Sequence, residues 1–295
     1  MSKILVIGSI SIDNVVYTKV LPEPGTTVIG EAFLSNVGGK GANQACAAKF
    51  LGSDVDFFGA VGDDNNGQYI KAFLEEKGLN ATLKTSSKGT GIASITLDMR
   101  SGENRICIVP GANMDITCDD IDKIEPLFKE SSILLIQLEN PVETVCYALK
   151  KAKEFGLTTV LNPAPVHEIP KDIHKYVDFF VPNEHELDGY VIEKDGSFES
   201  KAKELVRSGM KNVIVTLGEK GSLLVNANEV IYVEPHKVEA VDTTAAGDSF
   251  LGAFVTGLNS GKSVIESMKF ASKCSSITVT RKGAISSLPH LEDLN

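Results

Sequence analysis

Short runs of branched apolar residues alternate with helix-patterned stretches along most of this chain, and that alternation restricts the fold more than any single motif. Residues 3–8 (KILVIG), 55–59, 132–136, 158–161, 179–181 and 213–217 (VIVTL) read as strands. They lack polar alternation, as parallel strands covered on both faces must. Between them lie helical patterns at residues 67–77, 119–129, 142–155 and 199–208, three of them closed by Gly78, Gly156 and Gly209. Another helix opens near Lys40 and runs to Leu51, and two more are expected at residues 247–258 and 263–279. Residues 222–225 and 230–233 read as a terminal hairpin. Such an order demands a three-layer α/β/α architecture with a mainly parallel central sheet. With 295 residues and 42% hydrophobic content, one domain over residues 1–295 has enough core.

Two stretches do not fit the alternation. Residues 14–37 are broken by Pro22, Pro24 and Gly25, with a strand expected at residues 26–33. Residues 91–97 and 105–109 read as strands joined by a polar turn at residues 100–104. These pieces have the character of antiparallel hairpins. They are expected to form a small separate β-sheet from segments of about 14–37 and 91–109, a lid over the strand ends. A small sheet has edges and apolar faces that need cover, so a homodimer through the lid is expected.

The chemistry concentrates at Val241-Asp-Thr-Thr-Ala-Ala-Gly-Asp-Ser-Phe250. Thr243 to Gly247 place little bulk between backbone and visitor, and a helix follows. The first N–H groups of a helix lack internal partners and sit at its positive end, which suits an anion such as phosphate. Asp248 lies inside this turn. Two roles are open to it: an acid stabilised by the dipole, or a base beside a phosphate site, the pairing that phosphoryl transfer to a hydroxyl needs. A second glycine-rich turn, Val37-Gly-Gly-Lys40-Gly-Ala-Asn43, opens the first helix, and Lys40 and Asn43 can face a polar ligand there. It is not a dinucleotide fingerprint, because the third glycine of that pattern would fall at Gln44. Asp13, Glu139, Asn183, Glu186 and the 218–221 loop all follow strands, where open α/β sheets bind ligands. For Asp13 an Asx turn is the other reading. Gly261-Lys262-Ser263 imitates the end of a P-loop, but Thr256 occupies the position of the required earlier glycine and a helix precedes it.

The net charge of −10 argues against nucleic-acid or membrane-surface partners, so any phosphate must be held by local donors. No run approaches a membrane span, and the first residues read as a strand and not as a leader. The five cysteines lack metal spacing and fit reduced thiols in a cytoplasmic protein; the five histidines make no zinc pattern.

GGKGANQA from Gly38, QLE from Gln137, LNPAP from Leu161, PNE from Pro182, TLGEKG from Thr216, VDTTAAGDSF and VTRKGA from Val279 stand in one order along the whole chain. In that order they resemble the ribokinase-like (PfkB) carbohydrate kinases. The resemblance implies ATP-dependent phosphorylation of a sugar hydroxyl, D-ribose to D-ribose 5-phosphate first. It implies Asp248 as the base, with the N–H groups of Ala245, Ala246 and Gly247 as an anion hole. Asp13, Gly39, Lys40, Gly41, Asn43 and Glu139 would hold the sugar. Asn183, the loop of Thr216, Leu217, Gly218, Glu219, Lys220 and Gly221, then Gly247 and Ser272, would contact ATP. Asn183 and Glu186 would position Mg²⁺ through water. Asp242, Thr244, Thr278, Arg281, Gly283 and Ser287 match positions that bind an activating monovalent cation, K⁺, mainly through carbonyl oxygens. Ribokinase-like sugar kinases specific for ribose typically carry Asn where this chain has Ser11, so another furanose or a nucleoside is the alternative substrate. Ala245 stands where many members have Gly. A non-catalytic sugar-binding or sensing protein is the alternative of another class.

Overall fold

The computed structural model describes residues 2–294. In chain order its strands are β1 (Lys3–Ile7), β2 (Ser11–Thr18), β3 (Ala32–Gly38), β4 (Val55–Gly62), β5 (Asn80–Ser86), β6 (Gly91–Asp98), β7 (Asn104–Val109), β8 (Ser131–Gln137), β9 (Thr158–Asn162), β10 (Phe179–Phe180), β11 (Asn212–Thr216), β12 (Ser222–Asn226) and β13 (Val230–Val233). The helices are α1 (Lys40–Phe50), α2 (Asn65–Glu76), α3 (Cys118–Lys123), α4 (Glu125–Glu130), α5 (Val142–Glu154), α6 (Glu184–Tyr190), α7 (Phe198–Arg207), α8 (Ala246–Asn259) and α9 (Val264–Thr278).

Nine strands form one sheet in the order β13-β12-β11-β10-β9-β8-β1-β4-β5. It is parallel from β5 to β11 and antiparallel over its last two strands. The apolar runs fill both faces. Ile4 and Val6 pack on one side with Ala42 and Ala45 of α1, Phe254 of α8 and Met268 of α9. Leu5 and Ile7 pack on the other with Phe128 of α4, Leu149 of α5 and Leu205 of α7. Burying each large side chain is worth about 1.5–3 kcal/mol, which is why these strands tolerate no polar alternation. The strand order turns back at β1, with β4 on one side and β8 on the other. The crevice beyond their carboxyl ends is where ligands of such sheets bind.

The expected separate sheet is present, with order β3-β2-β6-β7. Its boundaries differ at two points. The strand expected at residues 26–33 lies at Ala32–Gly38. Thr-Thr-Val-Ile has strand propensity, but Pro22 and Pro24 lack donors, and the ladder to β2 begins only where Ala32 meets Tyr17. The turn considered at Asp13 is instead strand β2, in which Asp13 sits opposite Asn36 and Ala93. The helix expected at residues 119–129 divides into α3 and α4 around Ile124, because Pro126 suits the start of a helix and not its interior. Strand β5 and helix α6 had no counterpart in the sequence reading.

Candidate active site

Two glycines bring α1 onto the end of β1. A Cβ on Gly41 would lie 2.6 Å from the Gly8 carbonyl carbon, and one on Gly39, at φ 93°, would lie 2.7 Å from Ile10 Cα. Only bare backbone permits this approach. The Ala42 N–H then bonds the Ser9 carbonyl at 3.0 Å. Buried Asn113 clamps the segment from the other side, accepting from the Ile10 N–H at 3.0 Å and donating to the Ile10 carbonyl at 2.9 Å.

Around this junction lie the polar groups expected to hold a sugar. Glu139, just past β8, accepts from the Ser9 hydroxyl and from the Lys40 N–H at 3.2 Å. The Ser11 hydroxyl donates to Asp13 Oδ1 at 2.9 Å, and the Asp13 carboxylate rests on Gly38, where any Cβ would collide with it. Burial pushes the Asp13 carboxyl above its usual range, against the opposing Ser11 hydrogen bond. Lys40 sits among Asp248, Glu139, Glu186 and Asp13. Burial works to lower its pKa, but these carboxylates outweigh it and hold the ammonium above its ordinary value.

Asp248 occupies the first turn of α8 and is only 8% exposed. Its Oδ2 accepts from Asn43 Nδ2 at 2.9 Å and its Oδ1 from Gln44 Nε2 at 2.9 Å. Burial raises its pKa above the usual carboxylate range, with Lys40, Asn43 and Gln44 opposing. The turn before it uses Ala245 at φ 58°, the one non-glycine residue of positive φ among those described. The Ala246 N–H bonds the Thr243 carbonyl at 3.2 Å. The N–H groups of Gly247 and Asp248 have no acceptor among the described residues, and nothing lies within 4 Å of a Cβ built on Gly247. An open, positive helix mouth thus adjoins a held carboxylate.

Asn183 and Glu186 form a capping box at α6. Asn183 Oδ1 accepts from the Glu186 N–H at 2.7 Å, and Glu186 Oε2 accepts from the Asn183 N–H at 2.9 Å. One Glu186 oxygen is left for a ligand. Burial raises the pKa of this carboxyl, although Asn183 and Lys40 oppose it. Asn183 bridges to Thr216, so α6 and the 216–221 loop share one edge. In that loop the Leu217 N–H bonds the Gly221 carbonyl at 2.8 Å, and Gly218, Glu219 and Lys220 are exposed. Ser272 lies half-buried on α9.

The expected cation loops also meet. Asp242 accepts from the N–H groups of Thr244 and Gly283, each at 2.9 Å. These bonds outweigh burial and hold its carboxyl below the usual range. Among the described residues, the carbonyl oxygens of Asp242, Thr244, Arg281 and Gly283 accept no hydrogen bond from the protein. That donor set fits a monovalent ion held by carbonyls. Thr278 and Ser287 use their hydroxyls internally, and Arg281 forks onto Asp293 at 2.8 and 3.1 Å. No three His, Cys, Asp or Glu side chains among the described residues are grouped to hold a metal. No described helix is long and apolar enough to cross a membrane.

The sequence reading missed Gln44, Gln137, Asn162 and Asn113. The first two are fully buried amides, a residue type seldom found at 0% exposure without a specific partner.

Known proteins resemble this chain along its whole length. Residues 1–291 match the pfkB family carbohydrate kinase model. A ribokinase of Schizosaccharomyces pombe is 39% identical over all of this chain and 97% of its own length. A deoxyribokinase of Salmonella typhi is 38% identical over 99% of this chain and 97% of its own. The structure of Arabidopsis thaliana ribokinase complexed with ribose and ATP superposes with a TM-score of 0.90 at 31% identity, covering 99% and 97% of the two chains. This chain belongs to the pfkB family of carbohydrate kinases.

Proposed function

We propose that this protein transfers the γ-phosphoryl group of ATP to D-ribose, giving D-ribose 5-phosphate. One observation carries the reading: a buried carboxylate, Asp248, held at both oxygens by amide donors, adjoins a helix mouth with free N–H groups. Asp248 takes the proton from the sugar hydroxyl, the oxygen attacks the γ-phosphorus, and ADP leaves with the bonding electrons. Asp13, Lys40, Asn43 and Glu139 orient the sugar. The helix mouth at Ala245–Gly247 receives the negative charge of the transferring group, with Gly247 the least encumbered donor. The 216–221 loop, Asn183 and Ser272 receive the nucleotide. Glu186 would help hold Mg²⁺ arriving with ATP, and the ion would supply charge neutralisation. The carbonyls of the 242–244 and 278–287 loops would hold K⁺, whose charge would stabilise the same mouth. The small sheet serves as a lid over the sugar and pairs with a second copy; Phe33 at 65% and Ile108 at 59% exposure are apolar groups that such pairing would cover. The setting is cytoplasmic.

A deoxy sugar is the second reading. It is motivated by Ser11, whose short side chain is spent on Asp13, and by the similarity to a deoxyribokinase. Phosphorylation rates across ribose, 2-deoxyribose, other furanoses and nucleosides decide between them: kcat/KM highest on ribose supports the proposal, and a clear preference for another acceptor overturns it. Asp248→Asn separates a kinase from a sugar-sensing protein. Turnover is expected to fall by about 10²–10⁴-fold with sugar binding retained. Unchanged turnover removes Asp248 from the role of base.

A further inference from the structure

Behind Asp248 lies a line of buried amides. Gln44 and Gln137 are both 0% exposed, and Asn162 is 7% exposed. Gln44 Nε2 donates to Asp248 Oδ1 at 2.9 Å and to Asn162 Oδ1 at 3.3 Å. Gln137 Nε2 donates to Gln44 Oε1 at 2.6 Å. Asn162 Nδ2 in turn donates to the Val181 carbonyl at 3.0 Å. Gln137 and Asn162 are paired residues at the ends of β8 and β9, so the line is anchored in the sheet. Gln137 has room only because residue 8 is glycine: a Cβ there would lie 2.0 Å from Gln137 Oε1.

The line has a direction, and the carboxylate sets it. A carboxylate accepts only, so Gln44 must turn its NH₂ toward Asp248. Its Oε1 then faces Gln137, which must turn its own NH₂ inward. Gln137 Oε1 is left buried without a partner. Reversing either amide would set an oxygen against an oxygen. A buried acceptor left unpaired is unfavourable and rare, and it survives here as the outer end of two donors, Gln137 and Gln44, that point in turn toward one charge.

We infer that Gln44, braced by Gln137 and Asn162, is a positioning residue that fixes the aim and the ionisation of Asp248. The inference rests on Asp248 being the base. Asn43 and Gln44 grip the two carboxylate oxygens from adjacent positions of α1, so the carboxylate plane cannot turn. Losing the Gln44 donor frees that rotation and removes a bond that favours the charged form.

The test is Gln44→Met, which keeps length and burial and removes both polar ends, with Gln137→Met as the variant one bond further out. In Gln44→Met, kcat is expected to fall by about 10–100-fold, the range for loss of one hydrogen bond to a charged group. KM for sugar and for ATP should stay within about threefold, since uniform binding is untouched. The acid limb of the kcat–pH profile should move to higher pH, because the carboxyl protonates more easily. Gln137→Met should move it in the same direction by less, and the double variant should fall short of the product of the two, as coupled groups do. Should Gln44→Met not fold, the Gln137→Met profile and kcat carry the test. Unchanged kcat and an unmoved acid limb in the folded variants overturn the inference. Asp248→Asn, run alongside, keeps the two readings apart. If it abolishes turnover while the glutamine variants are normal, the base stands and the brace fails; if it turns over normally, the base itself fails.

Discussion

Helix α8 crosses α1 at Gly252, one turn beyond Asp248, and a single methyl group there perturbs both fold and site. An added Cβ would lie 2.5 Å from Ala47 Cβ, 2.8 Å from the Ala48 nitrogen and 2.8 Å from the Gln44 carbonyl oxygen. None of these is the end of a flexible side chain, and two belong to the backbone of α1. In isolation, Gly→Ala inside a helix gains about 0.8–1 kcal/mol. Overpacking costs about 1–3 kcal/mol, and three approaches this short belong at the upper end. The net is a loss of about 2 kcal/mol, or about 3 °C in Tm for a chain of this size. Relief requires the helices to part, which lengthens the two 2.9 Å bonds from Asn43 and Gln44 to Asp248. Turnover per folded molecule should therefore fall as well. Gly247→Ala on the same helix is the control. Its methyl meets nothing within 4 Å, so stability should hold, yet it projects at the helix mouth and should lower kcat. Urea and thermal melts, paired with kcat, measure both. A Gly252→Ala protein that melts at or above the parent and turns over fully would show that the α1–α8 contact does not hold the carboxylate.

Two further outcomes are expected. The Arg281 guanidinium, with the His290 N–H, holds the Asp293 carboxyl down at about 2. Unfolded, an Asp titrates at about 3.9, so this carboxylate stabilises the fold above that pH and ceases to as pH falls from about 4 to 2. Asp293→Asn should flatten that part of the stability–pH curve, and a curve unchanged from the parent would remove the pair from the acid response. Replacing K⁺ by a large organic cation at constant ionic strength should lower turnover while leaving sugar binding, read calorimetrically, nearly unchanged. Equal turnover in both salts would count against the carbonyl site at residues 242–244 and 278–287.

The sheet was legible because each core strand is apolar on both faces, a pattern that leaves few folds. Asp248 was legible because small residues before a helix, with an acid inside the first turn, have few uses. The brace was not. In the sequence Gln44 stands only within GGKGANQA and as the residue that spoils a dinucleotide fingerprint, and Gln137 only within QLE. The available signal was a glutamine between Ala42 and Cys46, on a helix buried over eight consecutive residues. Burial on every side is invisible to periodicity, since α1 lacks a polar face to contrast with an apolar one. Residues 26–33 misled for the opposite reason: strand propensity reports a fit to a half-buried pleated surface, and that surface starts only at Ala32. The split at Ile124 was within reach, because Pro126 was in plain view.

Electrostatics gives the proposed cations a reason in the proposed reaction. Lys40 is one positive charge among Asp13, Glu139, Glu186 and Asp248, and burial pushes Asp13, Glu186 and Asp248 toward their neutral forms. A polyanionic nucleotide entering such a crevice, in a protein already at −10, meets repulsion that a helix terminus of about half a charge does not offset. The charges of the proposed Mg²⁺ and monovalent ion would supply what the side chains lack. In the proposed reaction a sugar hydroxyl donating to Asp13 would favour its ionised form. Asp248 is the carboxylate whose two amide donors hold both of its oxygens in place, and burial favours its neutral acid.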